Sequence, residues 1–183
     1  MNDLERIRGP LLCAILDALE FARPRIEAIP NAKKEINGIS YDLYRWHKYV
    51  AISFREAGAV VRDNPADWKY FEIVSSVTTR SPFLDTAAEL IDREWNNAEE
   101  RGLRLTEAAH LIFLAGAEVL LDASVARMLQ NMGVDATEVR DGFLPKPFEY
   151  MVLDPDQTVR ANYCEIVMAN RATARLLRKT DSP

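Results

Sequence analysis

Two histidines, His47 and His110, are the residues through which a conventional metal or cofactor site can be built in this chain. His110 follows Glu107 by three residues, and on a helix this spacing places the carboxylate and the imidazole one turn apart. Helical bundles that hold iron or manganese use such Glu-x-x-His pairs. A second pair is missing, because Tyr44 stands at the matching position before His47. We therefore expect no metal, and keep a site at Glu107 and His110 as the alternative.

An aromatic segment surrounds the other histidine. Tyr44, Trp46 and Tyr49 lie within three residues of His47. Such a cluster can form a pocket for a planar ligand, in which His47 serves as an acid, a base or an axial haem ligand. The alternative, which we favour, is a packed helix whose hydroxyl and imidazole groups reach water or another protein. Tyr44 and His47 are therefore candidates for contact with a ligand or a partner.

The segment 142–153 is long and apolar for a connection between helices. Pro145 and Pro147 prevent a helix across its first half, and 148–153 comes nearest in the chain to the alternation of a strand. Because an apolar loop must bury its side chains, the segment either covers the end of the domain as a lid or docks on another subunit. The candidate partner contacts here are Phe143, Phe148 and Tyr150.

The charge balance argues against a nucleic-acid backbone as the main partner. The chain carries 28 Asp and Glu against 23 Lys and Arg, a formal net charge of −5. Arg171, Arg175 and Arg178 nevertheless share one face of the last predicted helix, so weak nucleic-acid binding through these arginines stays open as an alternative. Cations also simply complement the carboxyl end of a helix.

The cysteine count and the hydropathy pattern limit the class of protein further. With two cysteines, Cys13 and Cys164, the chain cannot form a disulfide scaffold or a cysteine-rich metal site, and both lie in apolar surroundings that predict burial. The longest run without a charge, 108–117, is about half the length of a membrane span. We therefore expect no membrane segment and a cytoplasmic location.

Prolines, glycines and capping residues divide the chain into segments with helical spacing of apolar residues. Ser81 and Asp154 each precede a proline, an arrangement typical of a helix start. One predicted helix, 40–57, places Leu43, Val50 and Phe54 on a single face. The predicted helices are 10–23, 40–57, 65–79, 82–101, 106–132 and 155–179, with shorter pieces within 24–38 and 135–142.

These segments predict an all-α fold, a single helical domain over 1–183 with 1–9 and 180–183 as frayed tails. The helix 106–132 is apolar nearly all round between Leu111 and Leu121, so we expect it at the centre of a bundle of six or seven helices.

No nucleotide-binding or hydrolase motif is present in the sequence. Our leading functional hypothesis is a non-enzymatic binding module, a regulatory, adaptor or immunity-like protein that pairs with another protein or with a second copy. The alternative is a bundle enzyme or sensor that holds iron, manganese or haem near His47 and His110.

Overall fold

The computed structural model describes residues 3–59, 64–136, 148–155 and 161–180. It contains both helices and a sheet, so the prediction of an all-α helical bundle is wrong. The helices are α1 (Asp3–Glu27), α2 (Ala32–Glu35), α3 (Pro82–Asn96), α4 (Leu105–Leu120), α5 (Ala123–Asn131) and α6 (Tyr163–Thr180). The strands are β1 (Ile36–Tyr44), β2 (Tyr49–Glu56), β3 (Tyr70–Ser75) and β4 (Glu149–Met151).

The predicted helix 40–57 is instead the hairpin of β1 and β2. Its apolar residues fit two periods: Leu43, Val50 and Phe54 suit a helical stripe, but Val50, Ile52 and Phe54 also alternate, as a strand requires. The strands pair antiparallel from Ile36 opposite Glu56 to Tyr44 opposite Tyr49. Lys48 closes the turn between them with a φ of 50°. β-Branched and aromatic residues are enriched on both sides of this turn, which favours a strand over a helix.

The predicted helix 65–79 is also wrong. Asn64 does cap a helical turn, as its position before a proline predicts, and its side chain accepts a hydrogen bond from the Ala66 N–H. That turn is a short 3₁₀ helix that ends at Asp67, and the chain then enters β3. The cap therefore starts a single turn. The helix does not continue, because the residues that follow favour a strand.

The four strands form one mixed sheet in the order β3-β2-β1-β4. β4 lies parallel to β1, with Tyr150 opposite Ile39, whereas the other neighbours are antiparallel. β4 falls in the segment whose alternation comes nearest to that of a strand. A distant part of the chain thereby completes the sheet beside β1.

The helices cover one face of this sheet, and α4 lies at their centre. It contacts α1, α3, α6 and β1, and most of its apolar residues are buried. Gly116 permits a close approach to the sheet, since a Cβ atom there would lie 2.5 Å from Leu43 Cδ1 of β1. The missing side chain lets α4 sit directly on the sheet.

The segment 106–132 does lie in the core, as predicted. The prediction that it forms one continuous helix is wrong. The chain bends by 50° between α4 and α5. Asp122 caps α5 by accepting from the Ser124 N–H at 2.9 Å. Within the described residues no single helix is long and apolar enough to cross a membrane, although α4 and α5 taken together meet that test by length and composition.

The first helix is longer than the predicted 10–23, because Pro10 and Pro24 both lie inside α1. Each proline removes one backbone donor, but tertiary contacts hold the turns beyond them. Arg6 on the first turns donates to Glu94 of α3 at 2.7 Å. Burial raises the pKa of Glu94, and the hydrogen bonds and charges of Arg6 and Arg101 outweigh that effect and lower it.

The helix predicted over 82–101 is confirmed at its start. Ser81 accepts hydrogen bonds from the Phe83 and Leu84 N–H groups, and α3 begins at Pro82. It ends at Asn96 rather than 101, and a 3₁₀ turn over Glu99–Arg101 follows.

The last helix begins at Tyr163 rather than at 155. Most of the predicted short helix 135–142 lies outside the described residues. The prediction that both cysteines are buried is confirmed for Cys164. It is wrong for Cys13, which is exposed on α1.

The close approach at Gly116 generates a test of the fold. We expect Gly116→Val to lower the free energy of unfolding by roughly 1–3 kcal/mol, because the side chain must displace Leu43 in a packed core. Urea denaturation measures the change. Gly9→Ala is the matched control, since nothing lies within 4 Å of its Cβ position in α1. This control should raise stability by about 0.5–1 kcal/mol. A Gly116→Val variant as stable as the wild type would contradict the packing.

Candidate functional site

The sheet has an apolar face and a polar face, and alternation along β1 assigns side chains to each. Tyr41 lies on the helix side, where its hydroxyl donates to the Leu11 carbonyl at 3.4 Å. Ser40 and Asp42 belong to the opposite face. Both are buried. The sheet therefore buries a carboxyl group on the face turned away from α1 and α4.

Asp42 is held by two serine hydroxyl groups. Ser40 Oγ donates to Oδ1 at 2.5 Å, and Ser53 Oγ of β2 donates to Oδ2 at 2.8 Å. Burial raises the pKa of Asp42 to about 6, because the loss of hydration outweighs both hydrogen bonds, and the charge of Glu72 acts in the same direction. No described cation contributes to the pKa of Asp42. Within the described part of the chain, this buried carboxyl group has no counter-ion.

An irregularity in β3 brings Glu72 toward the same network. The pairing of β2 with β3 shifts between Ile52 and Phe54, and Glu72 adopts a φ of 44°, which side-chain-bearing residues rarely occupy. The Glu72 N–H donates to Ser53 Oγ at 3.0 Å. The hydroxyl that donates to Asp42 therefore also fixes the strained residue of β3.

Tyr44 lies at the end of β1, next to this network. Its ring packs against that of Tyr49 at a centroid distance of 5.1 Å. Burial raises the pKa of Tyr44 to about 12, with smaller contributions from the charges of Asp42 and Glu72. The phenol therefore stays protonated at neutral pH and is available as a hydrogen-bond donor.

A cleft of about 720 Å³ opens beside Asp42 and Tyr44, between β1, β4 and the start of α6. Its volume lies within the range of ligand-binding pockets. The polar residues that line it are Asp42, Tyr44, Asn64, Glu149, Asp154, Asn162 and Glu165. The apolar ones are Leu43, Pro65, Ala66, Met151, Leu153, Pro155 and Ala161.

Arginines neutralise two of the four cleft carboxylates. Arg45 Nη1 lies 3.0 Å from Asp154 Oδ1, and only 3% and 1% of the two side chains are exposed. Arg55 Nη1 lies 2.7 Å from Glu149 Oε2 at the edge of the cleft. Asp42 and Glu165 have no ion pair with another described residue, so the described lining carries an excess of negative charge.

Aromatic rings hold the Arg45 side chain in place. Its guanidinium carbon lies 4.0 Å from the centroid of Trp46 and 4.6 Å from that of Trp95 in α3. The ring of Phe113 in α4 is 5.0 Å away. Cation–π contacts of this kind stabilise a desolvated arginine. Arg45 therefore joins the β1–β2 turn, two helices and the cleft residue Asp154.

Asn162 fixes the opposite wall of the cleft. Its Oδ1 accepts hydrogen bonds from the backbone N–H groups of Val152 and Cys164, each at 3.1 Å. Its Nδ2 donates to the Tyr150 carbonyl at 2.7 Å. One amide side chain thus caps the start of α6 and attaches it to β4, which sets the distance between the two elements.

The structure separates the two residues singled out in the aromatic segment. Tyr44 lines the cleft, whereas His47 is exposed in the β1–β2 turn. The His47 side chain makes no hydrogen bond or ring contact with another described residue. Trp46, beside it, is 39% exposed and packs edge-on against Trp95.

Two of the three aromatic candidates of the segment 142–153 are among the described residues. Phe148 and Tyr150 are buried in the apolar core, and their rings are 5.1 Å apart. Phe143 lies outside the described residues.

Glu107 and His110 each contact a different residue and do not act as a pair. Glu107 accepts from the Arg104 N–H at 2.9 Å and from its guanidinium at 2.7 Å, and these hydrogen bonds lower the pKa of Glu107. His110 Nδ1 lies 3.2 Å from the Tyr163 hydroxyl of α6. Across the ranges that the structure describes, no three His, Cys, Asp or Glu residues group in a way that can hold a metal.

Sequence reasoning misses most of the cleft. The pattern around Asp154 predicts a cap for residues that lie outside the described ranges, and it gives no sign of the ion pair that this carboxylate forms with Arg45. Asp42 is absent from the sequence candidates, because the helical interpretation of 40–57 hides its position. The signal that can find it is the alternation of Ile39, Tyr41 and Leu43 with Ser40 and Asp42, which predicts a strand with one polar face.

Comparisons of this chain with protein-family models, with curated proteins and with solved structures give no match.

The Arg45–Asp154 pair generates a prediction about stability. Arg45→Met removes the guanidinium from this buried ion pair, and we expect a loss of about 3–5 kcal/mol in the free energy of unfolding. Urea denaturation at pH 7 measures it. Arg23→Met is the control, because Arg23 pairs with the exposed Glu20 at the surface, where ion pairs contribute little. Equal effects of the two substitutions would contradict the assigned role of Arg45.

Asp42 generates a prediction about pH. Its pKa is higher in the folded chain than its ordinary 3.8, so the folded state binds the extra proton between pH 3.8 and about 6. Wild-type stability should therefore fall by up to about 3 kcal/mol as the pH rises through this window. Asp42→Asn removes the ionisation, so we expect its stability relative to the wild type to increase from pH 4 to pH 7.

Urea denaturation at several pH values tests this expectation. Asp135→Asn makes the same charge change at an exposed position and is the control. A difference between Asp42→Asn and the wild type that stays constant or shrinks with rising pH would show that the Asp42 carboxylate is not strained by burial.

Proposed function

We propose that the protein is a non-enzymatic binding protein, and that its cleft receives a basic side chain from a segment of another protein. The observation that carries this proposal is the charge balance of the cleft. Four carboxyl groups line it, and described arginines pair with only Glu149 and Asp154. Asp42 and Glu165, which pair with no cation among the described residues, are then available to a cation from a partner.

The apolar lining supports a lysine or arginine side chain rather than a bare ion. Met151, Leu153 and Pro155 provide surface for the methylene groups of such a side chain, whose charged end then reaches the carboxylates. Most ligand pockets combine an apolar wall with a small number of polar groups in this way.

The charge of the whole chain favours the same type of partner. A net charge of −5 attracts a basic segment at long range and repels an acidic one. Such attraction mainly increases the rate of association and weakens with salt.

The two alternatives from the sequence have less support. His47 and His110 make no contact with each other in the described structure, and His110 instead lies beside Tyr163. For nucleic-acid binding, the Arg171 guanidinium donates to Glu118 at 2.5 Å, which reduces the positive charge that it offers to a phosphate.

The test uses three capped pentapeptides of glycine with a central arginine, lysine or uncharged norleucine. We expect the two basic peptides to bind and the norleucine peptide not to bind, with amide NMR shifts confined to the cleft. Glu165→Gln should weaken binding of the basic peptides by roughly two- to fivefold, as expected for a partly exposed ion pair.

Glu100→Gln is the matched control, because Glu100 is exposed on the 3₁₀ turn and does not line the cleft. It should bind as the wild type does. Binding of norleucine as tight as that of lysine, equal effects of the two glutamate substitutions, or no binding of either basic peptide at millimolar concentration would each refute the proposal.

A further inference from the structure

The cleft carboxylates differ in how completely their acceptor sites are used. A carboxylate has two oxygens with about four acceptor sites in all. Asp42 receives one described hydrogen bond on each oxygen, from Ser40 and from Ser53. When donors of the described residues are counted, one further acceptor site on each oxygen is left, on a side chain that is more than nine-tenths buried and belongs to a cleft-lining residue.

We propose that Asp42 is the anchor of the cleft and that it selects a guanidinium group, so the residue received from the partner is arginine rather than lysine. This inference rests on the proposed function. A planar guanidinium presents two parallel N–H donors that match one free site on each carboxylate oxygen. An ammonium group is a point charge and gains no such match.

The surroundings of Asp42 favour the same choice. Tyr44 lines the cleft next to Asp42, and a guanidinium stacks on an aromatic face more readily than an ammonium does. Guanidinium is also the more weakly hydrated of the two cations, so it loses less on entering a buried site. The site is already largely shielded from water, since Asp42 is 8% exposed.

Ser40 and Ser53 act as positioning residues in this arrangement. Their hydroxyl groups fix the plane of the carboxyl group, and Ser53 is itself held by the Glu72 N–H at 3.0 Å. The carboxylate is therefore oriented before the ligand arrives, which reduces the entropy lost on binding.

Isothermal titration with the arginine and lysine pentapeptides at pH 7.5 tests the inference. We expect the wild type to bind the arginine peptide about tenfold more tightly than the lysine peptide, and Asp42→Asn to remove this preference. The amide that replaces the carboxyl group in this variant keeps the size of the side chain and can still bond to both serines. Glu165→Gln should weaken both peptides by the same factor and keep the preference for arginine.

A fourth peptide tests the selection without any change in the protein. Asymmetric dimethylarginine keeps the positive charge but blocks paired hydrogen bonds to a carboxylate. The wild type should bind it about tenfold more weakly than the arginine peptide, so the inference is testable even where Asp42→Asn does not fold.

The outcomes separate the two proposals. Equal affinities for arginine, lysine and dimethylarginine, all weakened by Glu165→Gln, would overturn the role of Asp42 and leave the basic-segment proposal in place. A preference for arginine that survives in Asp42→Asn would also overturn it. Failure of every basic peptide to bind would overturn both.

Discussion

The buried ion pair between Arg45 and Asp154 holds the site together. It joins the end of β1 to the chain that follows β4, 109 residues later. The guanidinium also contacts Trp46, Trp95 and Phe113, so the hairpin turn, α3, α4 and the β4 segment meet at one charged group. A buried pair is costly to break because either partner alone is left unsolvated. The position of the cleft beside Asp154 follows from this junction.

The two faces of the sheet have different roles in the molecule. The helix-facing side forms the apolar core, in which Gly116 lets α4 approach Leu43. The opposite side collects Ser40, Asp42 and Ser53, which are buried although they are polar. Buried polar groups must be hydrogen-bonded, and the serines meet this requirement for Asp42 only in part. Under the proposed function, a cation from the partner supplies the interactions that the described serines do not.

The parts of the fold that could be predicted are those governed by local chemistry. Ser81 before Pro82 correctly predicts the start of α3, because capping involves only the next few residues. The alternation in 148–153 coincides with β4, although the all-α interpretation treats this segment as a connection between helices. The interpretation of 40–57 as a helix fails because its apolar residues fit both a helical and an alternating pattern. Asp154 before Pro155 has the form of a cap, but the residues that it would cap lie outside the described ranges. The pairing of its carboxylate with Arg45, which lies more than a hundred residues away, has no signal in the sequence.

The amino-acid sequence alone determines the excess of acidic residues and the apolar character of the segments that form the core. It also indicates that the segment of α4 is central and that Tyr44 is a candidate for ligand contact. Folding in three dimensions is what pairs 36–56 as a hairpin, adds β4 to it in parallel, and brings Asp42, Tyr44, Asp154 and Glu165 to one cleft. The physical reason is the range of the forces involved. Capping and turn chemistry act within a few residues, whereas strand pairing, desolvation and buried ion pairs depend on which distant segments come into contact.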